Sequence, residues 1–261
     1  MNETVAISFH TCNQDGISYN VCDHLAVPHA MFTRHGGVSP SPFTSLNCGN
    51  LVGDAPDNVA ENRKKMARML GFDKIKTVTQ VHGDRILIIT DPAQETGQEQ
   101  ADAMLTAITD ICLLIQQADC QAILLYDPVR RVIGAVHSGW RGSVVNIIGK
   151  TIATMKASFS CTPADIQAVI SPSLGPCCAE FIHYKKELPA PLHSFHIGND
   201  HIDFWAISSW QLKSAGLRPG NIWGSNRCTM CNTDYFSYRR SVRNGKKETG
   251  RNGSMIALPP R

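Results

Sequence analysis

Short apolar runs separated by turn residues dominate the middle of the chain. The runs "ICLLI", "AILLY" and "RVIGAV" follow one another between residues 111 and 136, and Asp127–Pro128 separates the last two. Uninterrupted apolar runs of about four to eight residues are typical of strands that are buried on both faces. An Asp–Pro pair favours a tight turn. The pattern therefore predicts neighbouring buried strands in this region.

Apolar residues at helical spacing predict a helix on each side of these strands. In residues 54–72, Asp57 can cap the first turn and Gly71 ends the helix. Residues 141–159 repeat the period and predict one continuous helix. The apolar stripes consist of Val59, Met66, Met69 and Leu70 in the first helix, and of Val145, Ile148, Ile152 and Met155 in the second.

Strand patterns also occur outside the central region. Residues 76–92 predict a strand, a short turn at His82–Gly83–Asp84 and a second strand. Residues 165–176 and 221–226 predict strands, and residues 208–220 between them predict a helix. Strands with intervening helices are typical of the α/β or α+β class, but this pattern leaves the strand directions open.

The composition is that of an ordinary soluble globular protein. An apolar fraction of 43% and a charged fraction of 18% exclude a disordered chain. Because 25 basic residues nearly balance 22 acidic ones, the net charge of +3 does not favour a nucleic-acid partner. No apolar run reaches about 18 residues, so the sequence predicts no membrane span.

The cysteines are expected to be reduced. Ten cysteines in 261 residues fall well below the ~8–10% that is typical of disulfide scaffolds. The N-terminus "MNETVAISFHTCNQDG" lacks the basic start and hydrophobic stretch of a secretory signal. We therefore expect a cytoplasmic protein whose cysteines are core residues or metal ligands.

Three potential metal ligands end or interrupt apolar runs: His82, Cys120 and His137. One thiolate and two imidazoles suit Zn²⁺, with Cu²⁺ as the other possibility, and three ligands leave a position open for water or substrate. Two other interpretations stay open at this point. Cys120 can be a small buried apolar residue, or it can pair with either histidine as the nucleophile of a hydrolase.

A second cysteine motif is "CTMC", residues 228–231. A C-x₂-C pair fits zinc, an iron–sulfur cluster or a redox dithiol. The sequence places no second pair nearby, and the adjacent Cys177 and Cys178 are unfavourable because chain neighbours rarely bind one ion together. We therefore interpret Cys228 and Cys231 as reduced cysteines packed in a turn.

Arginines beside turn residues are candidates for binding an anionic group, because a guanidinium binds phosphate or carboxylate through two hydrogen bonds. Trp140 and Arg141 follow His137 closely, so an anion or a flat ring can bind there. The G-x-S-x-G, G-x-G-x-x-G, P-loop and H-E-x-x-H motifs are absent from the sequence. The arginines in such positions are Arg34, Arg63, Arg141, Arg239 and Arg240, and the first three are the candidates for binding phosphate.

Eight segments in order carry a family resemblance. They are "TRHGGVSPSPFTSLNCG", "VGDAPDNVAENR", "QVHGDRI", "ADCQAILLYDP", "AVHSGWRG", "SPSLGPCCAEF", "RCTMCNTDYFSYRR" and "GR". From about residue 30 to the C-terminus, the chain resembles the laccase-domain or YfiH family (DUF152), once described as multicopper polyphenol oxidases and now as purine nucleoside phosphorylases. Cys12, Cys22 and His24 match none of these motifs.

The resemblance implies a fold and an active site. It implies one domain over residues 1–261, of four α/β/β/α layers as in cysteine-hydrolase-like toxins, with residues 1–25 as a variable N-terminal segment. It implies that His82, Cys120 and His137 are catalytic and bind zinc. The residues expected to bind substrate or phosphate are Arg34, Asn47, Arg63, Trp140 and Arg141.

The resemblance also implies a reaction. A zinc-dependent enzyme would cleave adenosine, inosine and methylthioadenosine with phosphate, and would deaminate adenosine, so its partners would be a small nucleoside and phosphate. The alternatives are a copper-dependent polyphenol oxidase and a metal-free Cys–His hydrolase. A multicopper oxidase needs about ten His and Cys ligands, largely in His-x-His pairs, and the sequence contains no such pair.

Overall fold

Residues 9–246 and 248–260 are described by the computed structural model, and they form two six-stranded sheets with helices on the outer faces. In spatial order the first sheet contains β1 (Phe9–Gln14), β2 (Ile17–Cys22), β3 (His29–Phe32), β12 (Asn252–Ala257), β7 (Cys112–Gln117) and β4 (Ile75–Lys76). The second contains β11 (Ile222–Gly224), β10 (Gln167–Ile170), β8 (Gln121–Asp127), β9 (Val132–Ser138), β6 (Ala103–Thr106) and β5 (Ile86–Ile89).

Neighbouring strands are mostly antiparallel, and three pairs are parallel: β4 with β7, β5 with β6, and β10 with β11. The α-helices are α1 (Pro56–Met69), α2 (Trp140–Val144), α3 (Ile147–Phe159), α4 (Tyr184–Glu187), α5 (Phe204–Ser214) and α6 (Tyr238–Arg243). Short 3₁₀ turns occupy Pro163–Asp165, Ala190–Phe195 and Pro219–Asn221.

Three apolar clusters hold the layers together. Leu113 of the first sheet and Leu124 of the second belong to a buried cluster between the sheets. Met66 of α1 packs on the outer face of the first sheet, and Ile152 of α3 packs on the outer face of the second, where α5 also contributes. This order of layers, α/β/β/α in an α+β chain, is the expected fold.

The central strands are as predicted, because β8 and β9 are buried along their whole length. The tight turn between them is confirmed as well. The Asp127 side chain accepts hydrogen bonds from the backbone N–H groups of Val129 and Arg130 at 2.8 and 2.9 Å.

Two helix predictions were wrong in detail. Residues 141–159 form two helices, since Asn146 adopts a left-handed conformation (φ 53°) and its side chain caps α3 through the N–H of Gly149. Asn tolerates this conformation and is a favoured N-cap. Asp57 does not cap α1: the N-cap is Ala55, with Pro56 at the start of the helix.

The prediction of two strands in residues 76–92 needs a similar correction. The first strand ends at Lys76 in the first sheet, and the second begins at Ile86 in the second sheet. Residues 77–85 therefore cross from one sheet to the other, and His82 lies in this crossover rather than in a hairpin turn.

The N-terminal residues from Phe9 onward join the first sheet as its edge hairpin, β1–β2. The turn at Asp15–Gly16 has positive φ at both residues, as a type I′ hairpin turn requires. Cys22 is buried in the cluster between the sheets, and His24 stacks on Trp223. None of the helices in the described part of the chain is long and apolar enough to cross a bilayer.

Candidate functional site

The three candidate ligands are carried by three different segments. His82 comes from the crossover between the sheets, Cys120 from the turn between β7 and β8, and His137 from the end of β9. The antiparallel pairing of β8 and β9 places Ala122 opposite His137, so Cys120 and His137 lie at the same end of the second sheet. Strand β9 thus carries His137, and Cys120 lies immediately before β8.

These side chains converge on one point. The Sγ atom of Cys120 lies 3.8 Å from Nε2 of His82. The ring centroids of His82 and His137 are 4.8 Å apart, and the two rings are nearly perpendicular. One ligand atom from each of the three residues lies within 4.8 Å of the other two. The structure therefore brings together the three residues that the sequence singled out.

Asp102, which the sequence analysis did not identify, organises both histidines. Its buried carboxylate accepts a hydrogen bond from Nδ1 of His137 at 2.8 Å. It also accepts hydrogen bonds from the backbone N–H groups of Val81, His82 and Gly83, with N···O distances of 3.2, 3.0 and 2.7 Å. One carboxylate therefore orients the imidazole of His137 and folds the loop that carries His82.

Gly139 allows the three side chains to approach one another. A Cβ atom at this position would lie 2.8 Å from Sγ of Cys120 and 3.2 Å from Cδ2 of His82. Its backbone is extended, with φ −85° and ψ −174°, so any residue could adopt this conformation. The glycine is therefore needed for space rather than for backbone freedom.

The charges of the cluster are coupled. Burial acts against ionisation of Cys120, but the imidazoles of His137 and His82 outweigh it and lower the pKa of the thiol to about 6. Burial also acts against a charged His137, yet the Cys120 thiolate and the Asp102 carboxylate raise the pKa of its imidazole to about 9. Without a metal, the two residues form a thiolate–imidazolium pair near neutral pH.

The donor set fits one borderline-soft divalent ion. Two imidazole nitrogens and one thiolate within mutual reach suit Zn²⁺ or Cu²⁺. Because Nδ1 of His137 is bound to Asp102, Nε2 is the nitrogen that remains free for an ion. Metal-binding histidines commonly donate their other N–H to a carboxylate in this way.

A cavity of about 340 Å³ opens beside the three residues. Its walls are formed by residues 49–52, 78–80 and 116–118, together with Tyr238 and Arg251. A second cavity of about 170 Å³ also borders Cys120, and its walls include Trp140, Phe181 and Phe204. Cys120 and Tyr238 line both cavities, so the thiol borders both the cavity that contains Arg251 and the aromatic one.

Arg251 is held at the first cavity by the loop that follows β3. The backbone N–H of Arg251 donates to Oδ1 of Asn47 at 2.8 Å. Gly49 makes room for its side chain, because a Cβ atom there would lie 2.6 Å from Cγ of Arg251. Arg251 belongs to the "GR" segment of the sequence, but its side chain could not be distinguished there from the other arginines.

The other predicted substrate-binding residues have different surroundings. Trp140 lines the aromatic cavity, and the exposed Arg141 stacks on its ring at 4.3 Å. Asn47 is buried and bonded to Asp54 as well as to Arg251. Arg34 and Arg63 direct Nε to the backbone carbonyls of residues 44 and 48. Their roles in binding substrate or phosphate stay predictions.

Asp119 anchors the turn that carries Cys120. It adopts a positive φ of 82°, and its carboxylate oxygens accept hydrogen bonds from Oγ1 of Thr229 at 2.7 Å and from the N–H of Arg239 at 2.6 Å. Its carbonyl oxygen accepts the N–H of Leu174 at 2.8 Å. These bonds tie the turn to two neighbouring loops.

The prediction that the C-x₂-C pair has no further ligands nearby was wrong. The sulfur atoms of Cys177, Cys178, Cys228 and Cys231 all lie within 4.8 Å of one another. The sequence does not reveal this cluster, because the two cysteine pairs are about fifty residues apart. They come together through the pairing of β10 with β11.

The chain is similar to known proteins over nearly its whole length. Residues 28–259 match the family model described as multi-copper polyphenol oxidoreductase laccase. A purine nucleoside phosphorylase of Deinococcus radiodurans is 36% identical over 248 residues, which cover 91% of this chain and 92% of that protein. A purine nucleoside phosphorylase of Corynebacterium glutamicum is 34% identical over 87% of this chain and 92% of that protein.

Solved structures agree with this assignment. The crystal structure of the Bacillus licheniformis hypothetical protein YfiH superposes with a TM-score of 0.84 at 30% identity, covering 94% of this chain and 97% of that one. YlmD of Geobacillus stearothermophilus gives a TM-score of 0.83 at 27% identity, covering 97% and 99%. The chain therefore belongs to the laccase-like YfiH family.

Proposed function

We propose that the protein is a zinc-dependent purine nucleoside phosphorylase that acts on adenosine, inosine and methylthioadenosine. The observation that carries the proposal is the cluster of His82, Cys120 and His137, which opens between a cavity containing Arg251 and an aromatic cavity. Relatives that match most of the chain are named purine nucleoside phosphorylases. The products would be the free base and ribose 1-phosphate or its methylthio derivative.

In phosphorolysis, a phosphate oxygen forms a bond to C1′ of the ribose while the bond from C1′ to N9 of the purine breaks. The electron pair of that bond passes to the purine, and positive charge develops on the sugar. Zn²⁺ held by His82, Cys120 and His137 would supply Lewis-acid stabilisation of developing negative charge. The remaining requirements are an anion site and a surface for the base.

Side chains of this protein meet both requirements. Arg251 lines the first cavity; its Nη1 donates to the backbone carbonyls of Thr249 and Gly250, and its Nε and Nη2 can bind phosphate through two hydrogen bonds. Trp140, Phe181 and Phe204 provide apolar faces for a purine ring in the other cavity. Tyr238 lines both cavities, so its hydroxyl group is our candidate for donating a proton to the departing base.

Deamination of adenosine is the second activity that we propose for this site. A zinc ion held by histidine and cysteine is the centre that nucleobase deaminases use to activate water. The same cluster and the same aromatic cavity would serve both reactions. Product identity separates them, because deamination releases ammonia without phosphate and leaves the bond to the sugar intact.

The geometry does not favour a multicopper oxidase. Among the described residues, groups of three or more neighbouring ligands occur at two places, the His82–Cys120–His137 cluster and the four cysteines. Together they offer two histidines, whereas four coppers need about ten ligands. Copper bound at the first cluster would be a single ion.

A metal-free thiol hydrolase is the rival that a specific observation favours. Cys120, His137 and Asp102 form the series of nucleophile, base and carboxylate that thiol hydrolases use, and the pKa of Cys120 is lowered to about 6 by the neighbouring imidazoles, against the effect of burial. The rival predicts that Cys120 reacts with iodoacetamide equally well before and after chelation. A zinc-bound thiolate would be protected until the metal is removed.

The test is an incubation of the metal-replete enzyme with adenosine, inosine and methylthioadenosine, with and without phosphate, and identification of the products by mass. We expect free base and the sugar 1-phosphate only when phosphate is present. Cys120→Ala should abolish this reaction, and Cys12→Ser, which changes a cysteine of β1, should not. Base release without phosphate, or full activity of Cys120→Ala, would contradict the proposal.

Arg251→Ala tests the phosphate site separately. Loss of a charge-assisted hydrogen bond costs about 1.5–3 kcal/mol, so we expect the KM for phosphate to rise about 10- to 100-fold. The KM for the nucleoside should change little. An equal rise in both values would place the guanidinium outside the phosphate site.

A further inference from the structure

Four cysteines lie close together outside the site described above. The Sγ atom of Cys231 is 3.6 Å from that of Cys177 and 3.3 Å from that of Cys178, and Cys228 completes a group with all four sulfurs within 4.8 Å. Cys177 and Cys178 belong to the loop that follows β10, and Cys228 and Cys231 to the loop that precedes α6. All four are unpaired thiols.

The parallel pairing of β10 with β11 brings the two loops together. Beyond the strands, with the register shifted by one residue, a further parallel bridge joins Ser173 to Cys228. The N–H of Ser173 donates to the carbonyl oxygen of Arg227 at 3.2 Å, and the N–H of Thr229 donates to the carbonyl oxygen of Ser173 at 2.9 Å. The approach of the two cysteine pairs is therefore built on backbone hydrogen bonds.

The distances between the sulfurs suit one tetrahedral ion. A zinc–sulfur bond of about 2.3 Å places tetrahedral thiolates about 3.8 Å apart. The separations of 3.3 and 3.6 Å and the upper limit of 4.8 Å bracket this value. A disulfide would need about 2.05 Å. An iron–sulfur cluster, which contains several metal ions and sulfides, would spread the cysteines further apart.

The backbone around Cys228 fits a thiolate. The N–H of Gly175 donates a hydrogen bond to its sulfur at 3.3 Å. Gly175 has no space for a side chain, since a Cβ atom would lie 2.9 Å from both Cβ of Cys228 and Cη2 of Trp205. N–H groups directed at sulfur favour its charged form, which is the form that binds metals.

Two arginines of α6 hydrogen-bond to the backbone of the two cysteine loops. Nη1 of Arg239 lies 3.4 Å from the carbonyl oxygen of Cys178, in the first cysteine loop. Nη1 of Arg240 donates to the carbonyl oxygens of Thr229 and Met230 at 2.6 and 3.0 Å, in the second loop. The two guanidinium groups thus fasten both cysteine loops to one helix, α6.

We propose that Cys177, Cys178, Cys228 and Cys231 bind one structural Zn²⁺ ion. Two pairs of thiolates at tetrahedral spacing form a closed site, because all four positions around the ion are taken by protein. This distinguishes it from the three-ligand cluster around Cys120, which leaves a position open. The adjacent Cys177 and Cys178 approach the ion from the same loop, with Cys177 at the surface and Cys178 buried.

The ion would join the two loops that position Cys120. Leu174 of the first loop and Thr229 of the second both donate hydrogen bonds to Asp119, the residue before Cys120. Fixing the loops to each other would hold the turn between β7 and β8 in place. The cysteine cluster therefore has a positioning role and does not contact substrate.

Metal content tests the proposal in the full-length protein purified with zinc. Cys120→Ala serves as the background, so that the other cluster does not contribute. Adding Cys231→Ser should remove about one equivalent of zinc per chain, whereas adding Cys12→Ser as the matched control should remove none. Equal zinc content in the two double variants would overturn the proposal.

Cobalt spectroscopy decides the case if Cys231→Ser does not fold. Co²⁺ bound to the Cys120→Ala protein should give the strong thiolate charge-transfer absorption and the d–d bands of a tetrahedral four-sulfur site. In the same sample, Cys177, which is exposed, should resist iodoacetamide until a chelator is added. Weak absorption with Cys177 freely alkylated, or a disulfide within the cluster, would overturn the proposal.

Discussion

Asp102 shows how much of the site depends on one buried side chain. Its hydrogen bond with His137 fixes the imidazole ring. It also accepts hydrogen bonds from three consecutive backbone N–H groups, which fixes the loop of His82. Burial acts against its ionisation, but the hydrogen bonds from His137 and from the backbone of Gly83 and Val81 keep its pKa below the ordinary value. It therefore remains a carboxylate at neutral pH and stabilises a positive charge on His137.

The first prediction concerns the reactivity of Cys120 after removal of metal. Because the imidazoles lower the pKa of its thiol to about 6 in spite of burial, the thiolate persists down to that pH. The rate of alkylation by iodoacetamide should therefore reach half of its maximum near pH 6, rather than near pH 8.5 as for a free cysteine. Mass spectrometry of the Cys120 peptide measures the rate separately from the other cysteines.

Asp102→Asn should move this midpoint upward. The change removes the carboxylate that raises the pKa of His137, so the imidazolium that stabilises the thiolate is lost at lower pH. Asp84→Asn is the control, because Asp84 lies in the same crossover as His82 but pairs with Lys150 at the surface. A wild-type midpoint near pH 9 would show that Cys120 and His137 do not form an ion pair.

Residue types and positions predicted the three candidate ligands but not their partners. His82, Cys120 and His137 stand out because each interrupts or ends an apolar run. Asp102 precedes a strand as many aspartates do, and its role arises from a contact with a strand 35 residues away. Arg251 likewise becomes distinct only through its bond with Asn47.

At the scale of elements, the turn between β9 and α2 is the most constrained part of the site. His137 is the last residue but one of the strand, Gly139 precedes the helix, and Trp140 begins the helix and lines the aromatic cavity. Within four residues the chain thus contributes to the metal cluster, to its packing and to the second cavity. A small change in this turn should disturb all three.

Gly139→Ala should lower both the phosphorolysis rate and the zinc content. The added methyl group would overlap Sγ of Cys120 at 2.8 Å, while the extended backbone accepts alanine without strain. Displacing a catalytic group by about 1 Å can cost about 100-fold, so we expect a loss of this order in the phosphorolysis rate. Zinc content should fall with it, and the thermal midpoint should stay within a few degrees of the wild-type value.

Gly220→Ala is the matched control, since a Cβ atom at Gly220 would meet no atom of the described residues within 4 Å. Its activity and metal content should equal those of the wild type. If Gly139→Ala also kept full activity, the close packing of Gly139 against Cys120 would not be needed for catalysis.

Element boundaries were predictable where the apolar pattern is strong and not elsewhere. The strands on either side of Asp127–Pro128 follow from sequence, because a buried strand in the centre of a sheet needs apolar residues on both faces. The break at Asn146 does not interrupt the apolar period, so the pattern of 141–159 predicted one helix. The structure has two helices instead, because Asn146 ends the first segment and caps the start of α3.

Pairings between segments that are far apart in the sequence determine the site. Strand β12, near the C-terminus, lies between β3 and β7, and it brings Arg251 beside the turn that carries Cys120. Strand β11 pairs with β10 and brings the two cysteine pairs together. Such pairings have no local sequence signal, which is why the arrangement of sheets came from the family resemblance and not from the pattern.

The cluster between the two sheets should therefore control the stability of the fold as a unit. Leu124 in β8 is fully buried there, between the two layers of strands. Leu124→Ala should lower the free energy of unfolding by about 2–5 kcal/mol, because it removes buried apolar surface and leaves a cavity that rigid sheets cannot close. Urea unfolding followed by fluorescence measures this change.

Val129→Ala serves as the comparison, since Val129 is 68% exposed in the turn that follows β8. Its effect should stay within about 0.5 kcal/mol, as for most surface changes. Because Leu124 contacts neither cavity, the folded fraction of Leu124→Ala should keep its zinc and its phosphorolysis rate at low temperature. A variant that lost activity while fully folded would show that the packing between the sheets also positions the cluster of His82, Cys120 and His137.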